Sequence, residues 1–247
     1  METNVGGLRA VELYYRGIRE IETGDTVYLQ SRARLNTPDL GTMMPESYRP
    51  VAELSSHCLT LFELELRQAL EAGVKFRERD LVFRWISVYM PLRALKEKGM
   101  QTRIVDMLDE YQVDTSRICF ELSPQLLTEG TSRMADTIDQ MRNRGFHFLL
   151  PSFGGANCPL VQLANYPVDF LILSPELVSY VMRTERSKSA VHAIVKFANS
   201  LDADVIAEGV SNADQAEAFF QTECLYAAGE LGGKYMAARY IRRKGES

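Results

Sequence analysis

The chain has 247 residues, 46% of them apolar and 25% charged, with 28 basic and 33 acidic side chains. That composition excludes a disordered polymer, and a formal charge of -5 argues against wrapping nucleic acid through bulk electrostatics. No run approaches the ~20 apolar residues a bilayer crossing needs, and the first seven residues lack the basic and apolar segments of an export signal. The expectation is a cytoplasmic protein with no membrane contact and no direct nucleic-acid binding.

Cys58, Cys119, Cys158 and Cys224 include no CxxC pair, and His57, His147 and His192 form no ligand-spaced cluster. Neither a zinc site nor a disulfide framework is expected, and the thiols read as small buried side chains.

In chain order, residues 11–21 and 27–35 are β-capable runs around a Gly-Asp connection, which predicts an antiparallel hairpin. Residues 36–50 carry Pro38, Gly41, Pro45 and Pro50 and read as a loop with at most a short helix near its end. Leu59, Phe62, Leu66 and Leu70 then recur at helical spacing, with Gly73 as the expected stop. Strands are predicted over 81–89, 117–122, 146–150, 170–173, 205–207 and 225–228. Helices are predicted over 102–111, 132–144 (capped by Ser132), 187–201 and 212–220 (opened by Asn212). Residues 151–159 read as a glycine-containing loop, and the basic tail from 239 as frayed.

Strands alternating with helices imply parallel pairing through helical crossovers. Counting both hairpin arms gives about eight strands, the number that closes a β/α barrel near this length. The fold expected is therefore an α/β, TIM-like (β/α)8 barrel in which one arm of the hairpin runs antiparallel. With no internal repeat or linker, residues 1–247 read as one domain with its core over about 11–236.

In such a barrel the chemistry stands at the carboxyl ends of the strands. Those positions include Gln30, Arg32 and Arg34, alternating on one arm, then Tyr89, Glu121, Pro151, Ser152, Ser174 and Glu208. Glu121 and Glu208 could do acid/base work or share a metal. Pairing with Arg32, Arg34 or backbone donors is the favoured reading, because a divalent cation wants more oxygen ligands than two glutamates supply. The segment from Ser152 to Asn157 could cradle a phosphate with its backbone N–H groups, although it lacks the lysine and spacing of a P-loop.

Ala207-Glu208-Gly209-Val210 matches the AEGV motif of the EAL domains, the cyclic di-GMP phosphodiesterase family of bacterial signalling. Phe153-Gly154 matches the end of that family's DDFG, Phe120-Glu121-Leu122-Ser123 resembles its LEIT segment, and the run from Tyr166 to Leu171 resembles the approach to its KID. Gln215 stands where the family has a glutamine after AEGVE. The resemblance covers roughly residues 11–236, in order and spacing, and implies a β/α barrel with one antiparallel strand.

The departures from the family pattern lie at its active-site positions. The glutamate of ExLxR corresponds to Gln30 and its leucine to Arg32, while its arginine is kept as Arg34. The metal-binding asparagine falls at Tyr89, the two aspartates of DDFG at Pro151 and Ser152, and the lysine and aspartate of KID at Ile172 and Ser174. Pro124 and Ser211 replace the second glutamates of LEITE and AEGVE, and Ala228 stands for the glutamine of the late QG. Members that hydrolyse the dinucleotide use two carboxylate-held cations, so these replacements predict a chain without catalytic residues, metal or other cofactor, and not an enzyme. The expectation is a degenerate EAL-like regulatory protein that acts through an unidentified protein partner and is able to form a homodimer. The alternative is a non-hydrolysing cyclic di-GMP receptor using Arg34, Arg32, Glu121 and Glu208, and residual hydrolysis ranks third.

Overall fold

The computed structural model describes residues 4–5, 8–155 and 158–242. The hairpin forms as expected from β1 (Val11–Glu20) and β2 (Thr26–Thr37), whose antiparallel register runs from Val11↔Leu35 through Arg16↔Gln30 and shifts after Ile18. The sheet continues through β3 (Ile86–Met90), β4 (Ile118–Leu122), β5 (His147–Phe153), β6 (Phe170–Leu173), β7 (Asp204–Glu208) and β8 (Tyr226–Ala228). From β2 to β8 every neighbouring pair is parallel. β1 closes the ring antiparallel to both β2 and β8, giving the expected eight-stranded barrel with one reversed strand. Short strands at Gly41–Met43 and Met236–Ala237 extend β2 and β1.

The helices are α1 (Pro45–Ala52), α2 (His57–Glu78), α3 (Leu92–Lys96), α4 (Met100–Tyr111), α5 (Leu126–Glu129), α6 (Ser132–Arg142), α7 (Pro175–Tyr180), α8 (Glu185–Asn199) and α9 (Ala213–Phe220). None of the described helices is long and apolar enough to cross a membrane.

Strand alternation sorts the core into two shells. Outward residues such as Val88, Phe120 and Leu150 pack under the helices, against Phe62, Leu66 and Leu70 of α2 and Ile104 of α4. Inward residues make a separate plug of Ile18, Tyr28, Trp85, Cys119, Leu149, Phe170, Ile172, Ile206 and Tyr226. Tyr28 stacks on Trp85 at 4.1 Å between ring centroids, and Phe170 and Tyr226 meet Tyr28 edge-on. The plug fills the barrel below its carboxyl mouth, so any site on its axis is confined to that mouth.

Four expectations need correcting. Helix α2 runs through Gly73 to Glu78 because Phe76, fully buried, extends the apolar stripe by another turn. That burial outweighs the roughly 1 kcal/mol cost of a mid-helix glycine. Residues 81–85 are not in the strand; β3 begins at Ile86, after Arg84 N–H has donated to the Val27 carbonyl at 2.7 Å. The cap of α6 is Thr131, whose hydroxyl accepts from Met134 N, and not Ser132. Strand β5 continues through Pro151 and Ser152 to Phe153, where a loop was expected. It slips register against β6 after Leu150, and Ser152 sits at φ +61°. A bulge of this kind accommodates the proline without a central ladder bond.

Candidate functional site at the barrel mouth

The mouth is built around an arginine that the sequence reading passed over. Arg16 of β1 is placed opposite Gln30 of β2 by the hairpin register, and its Nη2 donates to Gln30 Oε1 at 2.6 Å. The same nitrogen donates to Glu208 Oε1 at 2.5 Å from the end of β7. Arg16 and Gln30 are buried, whereas the Glu208 side chain keeps 35% of its surface exposed. Tyr235, on the stretch before the last short strand, lays its ring 4.4 Å from the Arg16 guanidinium and 5.8 Å from that of Arg32. Burial pushes the Tyr235 hydroxyl well above its ordinary range.

A second cluster flanks Glu121 of β4. Arg49 of α1 pairs with Glu65 of α2 at 3.2 Å, Tyr48 donates to the same carboxylate at 3.4 Å, and the Arg49 guanidinium lies 3.7 Å from the Tyr89 ring centroid. The Tyr89 hydroxyl in turn donates to Glu53. Glu65 is buried among apolar side chains, which raises its carboxyl against the opposing pull of Arg49 and Tyr48. Burial likewise pushes Glu121 up to about 7; Glu208 and Glu65 push the same way, and Arg49 and Gln30 oppose it.

The structure thus brings Gln30, Tyr89, Glu121 and Glu208 to one mouth, but reassigns their partners. Arg32 pairs with Glu46 of α1 at 2.6 Å, and Arg34, farther out on β2, stacks 3.8 Å from the centroid of Tyr14. Neither Arg32 nor Arg34 therefore pairs with Glu121 or Glu208, as the sequence suggested; Arg16 pairs with Glu208, and Arg49, itself paired with Glu65, acts on Glu121 through its charge. Pro151 and Ser152 lie on the bulged end of β5, and Ile172 is buried in the plug. Ser174 caps α7 by accepting from Leu177 N, and Ala228 gives its carbonyl to Gly209 N and Val210 N. Gln215 accepts from Ser211 N at 2.9 Å, bracing the turn after β7. The suggested phosphate cradle includes Ala156 and Asn157, which lie outside the described residues.

Arg16, Arg49, Glu65 and Tyr235 were missed by sequence reasoning. Two signals were available: a charged residue on the inward face of β1 two places before Ile18, and a lone glutamate beside Leu66 in an apolar helix stripe.

A pair of divalent cations, the group that the family resemblance implies, does not fit this donor set. Such ions take about six oxygen ligands each, and among the described residues no three His, Cys, Asp or Glu side chains come together to hold one. Glu208 already shares an oxygen with a guanidinium, whose charge repels a cation.

An eight-stranded β/α barrel with one reversed strand and a charged carboxyl mouth defines a narrow class. The EAL domain family model matches residues 7–235, and the chain belongs to that family. It is 28% identical over 192 residues to the cyclic di-GMP phosphodiesterase PdeR of Escherichia coli K12, covering 78% of this chain and 29% of that protein. It is 20% identical over 210 residues to the cyclic di-GMP phosphodiesterase PA2567 of Pseudomonas aeruginosa, covering 85% and 36%. The chain spans between 24% and 38% of the length of the curated relatives it matches. Among solved structures, the Xanthomonas citri FimX EAL domain in complex with c-diGMP superposes with a TM-score of 0.78 at 17% identity, covering 95% of this chain and 91% of that one. The EAL enzyme Bd1971, bound to cAMP and cyclic-di-GMP, gives 0.83 at 21% identity, covering 93% and 63%.

These comparisons overturn one expectation. The replaced ligands predict a chain that is not an enzyme, yet it belongs to a family whose named members include cyclic di-GMP phosphodiesterases.

Proposed function

We propose that this chain is a regulatory domain of cyclic di-GMP signalling whose output passes through contacts with a partner protein. One observation carries the reading: the three arginines that converge on the mouth are each already matched by a carboxylate of this chain. Arg16 is bonded to Glu208, Arg32 to Glu46 and Arg49 to Glu65. A mouth kept for a dianionic nucleotide leaves cations available to the phosphates, whereas here ligand entry has to break internal ion pairs first. On this reading Gln30, Tyr89, Glu121, Pro151, Ser152, Ile172, Ser174 and Glu208 occupy the family's active-site positions; Gln30, Glu121 and Glu208 serve the barrel's own electrostatics, and Pro151 and Ile172 its backbone and packing.

A dinucleotide receptor is the second reading, and Arg34 favours it. Among the described residues no carboxylate stands within ion-pair distance of Arg34, so its charge is available to a phosphate. Calorimetric titration of the protein with cyclic di-GMP in Mg²⁺, beside the Arg34→Ala variant, separates the two. The regulatory reading expects no saturable binding at micromolar dinucleotide. Saturable binding removed by Arg34→Ala overturns it in favour of the receptor. Assaying the same mixture for linear pGpG measures turnover, which the family's named phosphodiesterases lead one to look for.

A further inference from the structure

At the opposite, amino-terminal end of the barrel a cavity of about 300 Å³ opens between α2 and the first residues of β3 and β4. Its hollow exists because α2 carries a glycine there. Among the described residues a Cβ on Gly73 would meet only the Ile86 Cδ1 atom within 4 Å, at 3.6 Å, so packing does not require a glycine there. Ile86 and Phe83 make the remaining wall apolar. Two guanidinium groups stand on the rim. Arg117 lies 4.3 Å from the Phe83 ring centroid, and Arg77 donates to the Gln112 carbonyl at 3.2 Å. Among the described residues no carboxylate is within ion-pair distance of either. Burial, and then the charge of Arg77, depress the Arg117 guanidinium, which is the strain an anion between the two would relieve. Asp114 also reaches the rim, but its carboxylate accepts from Ser116 N and Oγ at 2.8 and 2.5 Å.

Two cations above an apolar hollow, with one carboxylate already engaged, match a single negative charge on an apolar body. We infer that this cavity binds a small monocarboxylate, its headgroup between Arg77 and Arg117 and its aryl or alkyl body against Gly73, Phe83 and Ile86. The volume suits a ring or a short chain. The site is separate from the mouth, and the inference does not rest on the role proposed for the mouth.

Titrating the intact protein with benzoate, hexanoate and octanoate tests this, followed by thermal shift and amide NMR, with benzamide and hexanamide as neutral controls. At least one carboxylate should bind saturably, with amide shifts at residues 73, 83, 86 and 117, and the neutral controls should not. Arg117→Ala and Arg77→Ala should each weaken binding about tenfold or more. Arg77 is exposed, so its replacement keeps the test valid if Arg117→Ala fails to fold. Gly73→Leu, checked for native circular dichroism, should abolish binding by filling the hollow. No response to any carboxylate up to about 10 mM, equal binding of the amides, or undiminished binding by the arginine variants would overturn the inference.

Discussion

Glu121 makes the stability of this barrel depend on pH in a direction opposite to that of an ordinary surface carboxylate. Burial raises its folded pKa from 4.5 to about 7. Below pH 4.5 both folded and unfolded chains hold the proton, and the group contributes no difference. As pH rises toward 7 the unfolded chain loses the proton first, so stability falls by about 1.4 kcal/mol per pH unit, by at most about 3 kcal/mol in all. Above pH 7 the loss is complete. Glu121→Gln removes the titration and keeps an amide facing Gln30. The variant should match the wild type near pH 4 and exceed it by about 2–3 kcal/mol at pH 8. Urea unfolding of both proteins at intervals between these limits measures the difference directly. A difference independent of pH, or a variant less stable than wild type at pH 8, would refute the reasoning.

Arg49→Met leaves the buried Glu65 carboxylate without its cation and should cost about 3–5 kcal/mol at pH 7, while Glu65→Leu added to it should restore most of the loss. A double-mutant cycle in urea that shows no such recovery would mean the pair is not coupled. Thr131→Ala should destabilise by about 1 kcal/mol and Ser132→Ala by far less, because only Thr131 satisfies an N–H of the α6 first turn; thermal melts of both variants decide between them.

The barrel was legible in the sequence because its signals are local. Apolar runs such as residues 146–150 and 170–173, separated by helical stripes, dictate parallel pairing, and the Gly-Asp connection dictates the one reversal. What failed was punctuation, where tertiary burial competes with propensity: Phe76 carries α2 past Gly73, and the bulge at Ser152 keeps Pro151 in a strand. The mouth was legible only by position. The strand ends named Glu121 and Glu208, but their partners come from elements distant in sequence. Arg16 lies 192 residues before Glu208, and Arg49 reaches the Glu121 cluster from a helix inside a proline-rich connection. Charge pairing across such distances leaves no periodic trace, so Arg32 and Arg34, which alternate on a strand already assigned to the mouth, are not the partners. The enzyme expectation failed for another reason. It treated replaced ligands as settling activity, and family membership speaks against that step.

The central pair of the mouth is unequally buried, and that inequality fixes what each end does. The Arg16 side chain is 10% exposed and among the described residues its Nε has no hydrogen-bond partner, while the Glu208 side chain is 35% exposed. Removing Glu208 strands a guanidinium that little water can reach, with Gln30 still accepting from it at the mouth. Removing Arg16 leaves a carboxylate that solvent can hydrate in place. Glu208→Ala should therefore cost about 3 kcal/mol or more, and Arg16→Met only about 1–2 kcal/mol, most of it lost packing against Tyr235. Added salt should leave the first cost nearly unchanged, because a buried cation is poorly screened. Guanidinium-free denaturation with urea at low and high ionic strength reads both numbers. If Arg16→Met is the more damaging substitution, the carboxylate and not the arginine is the buried end, and the picture of a mouth held shut from within by Arg16 fails with it.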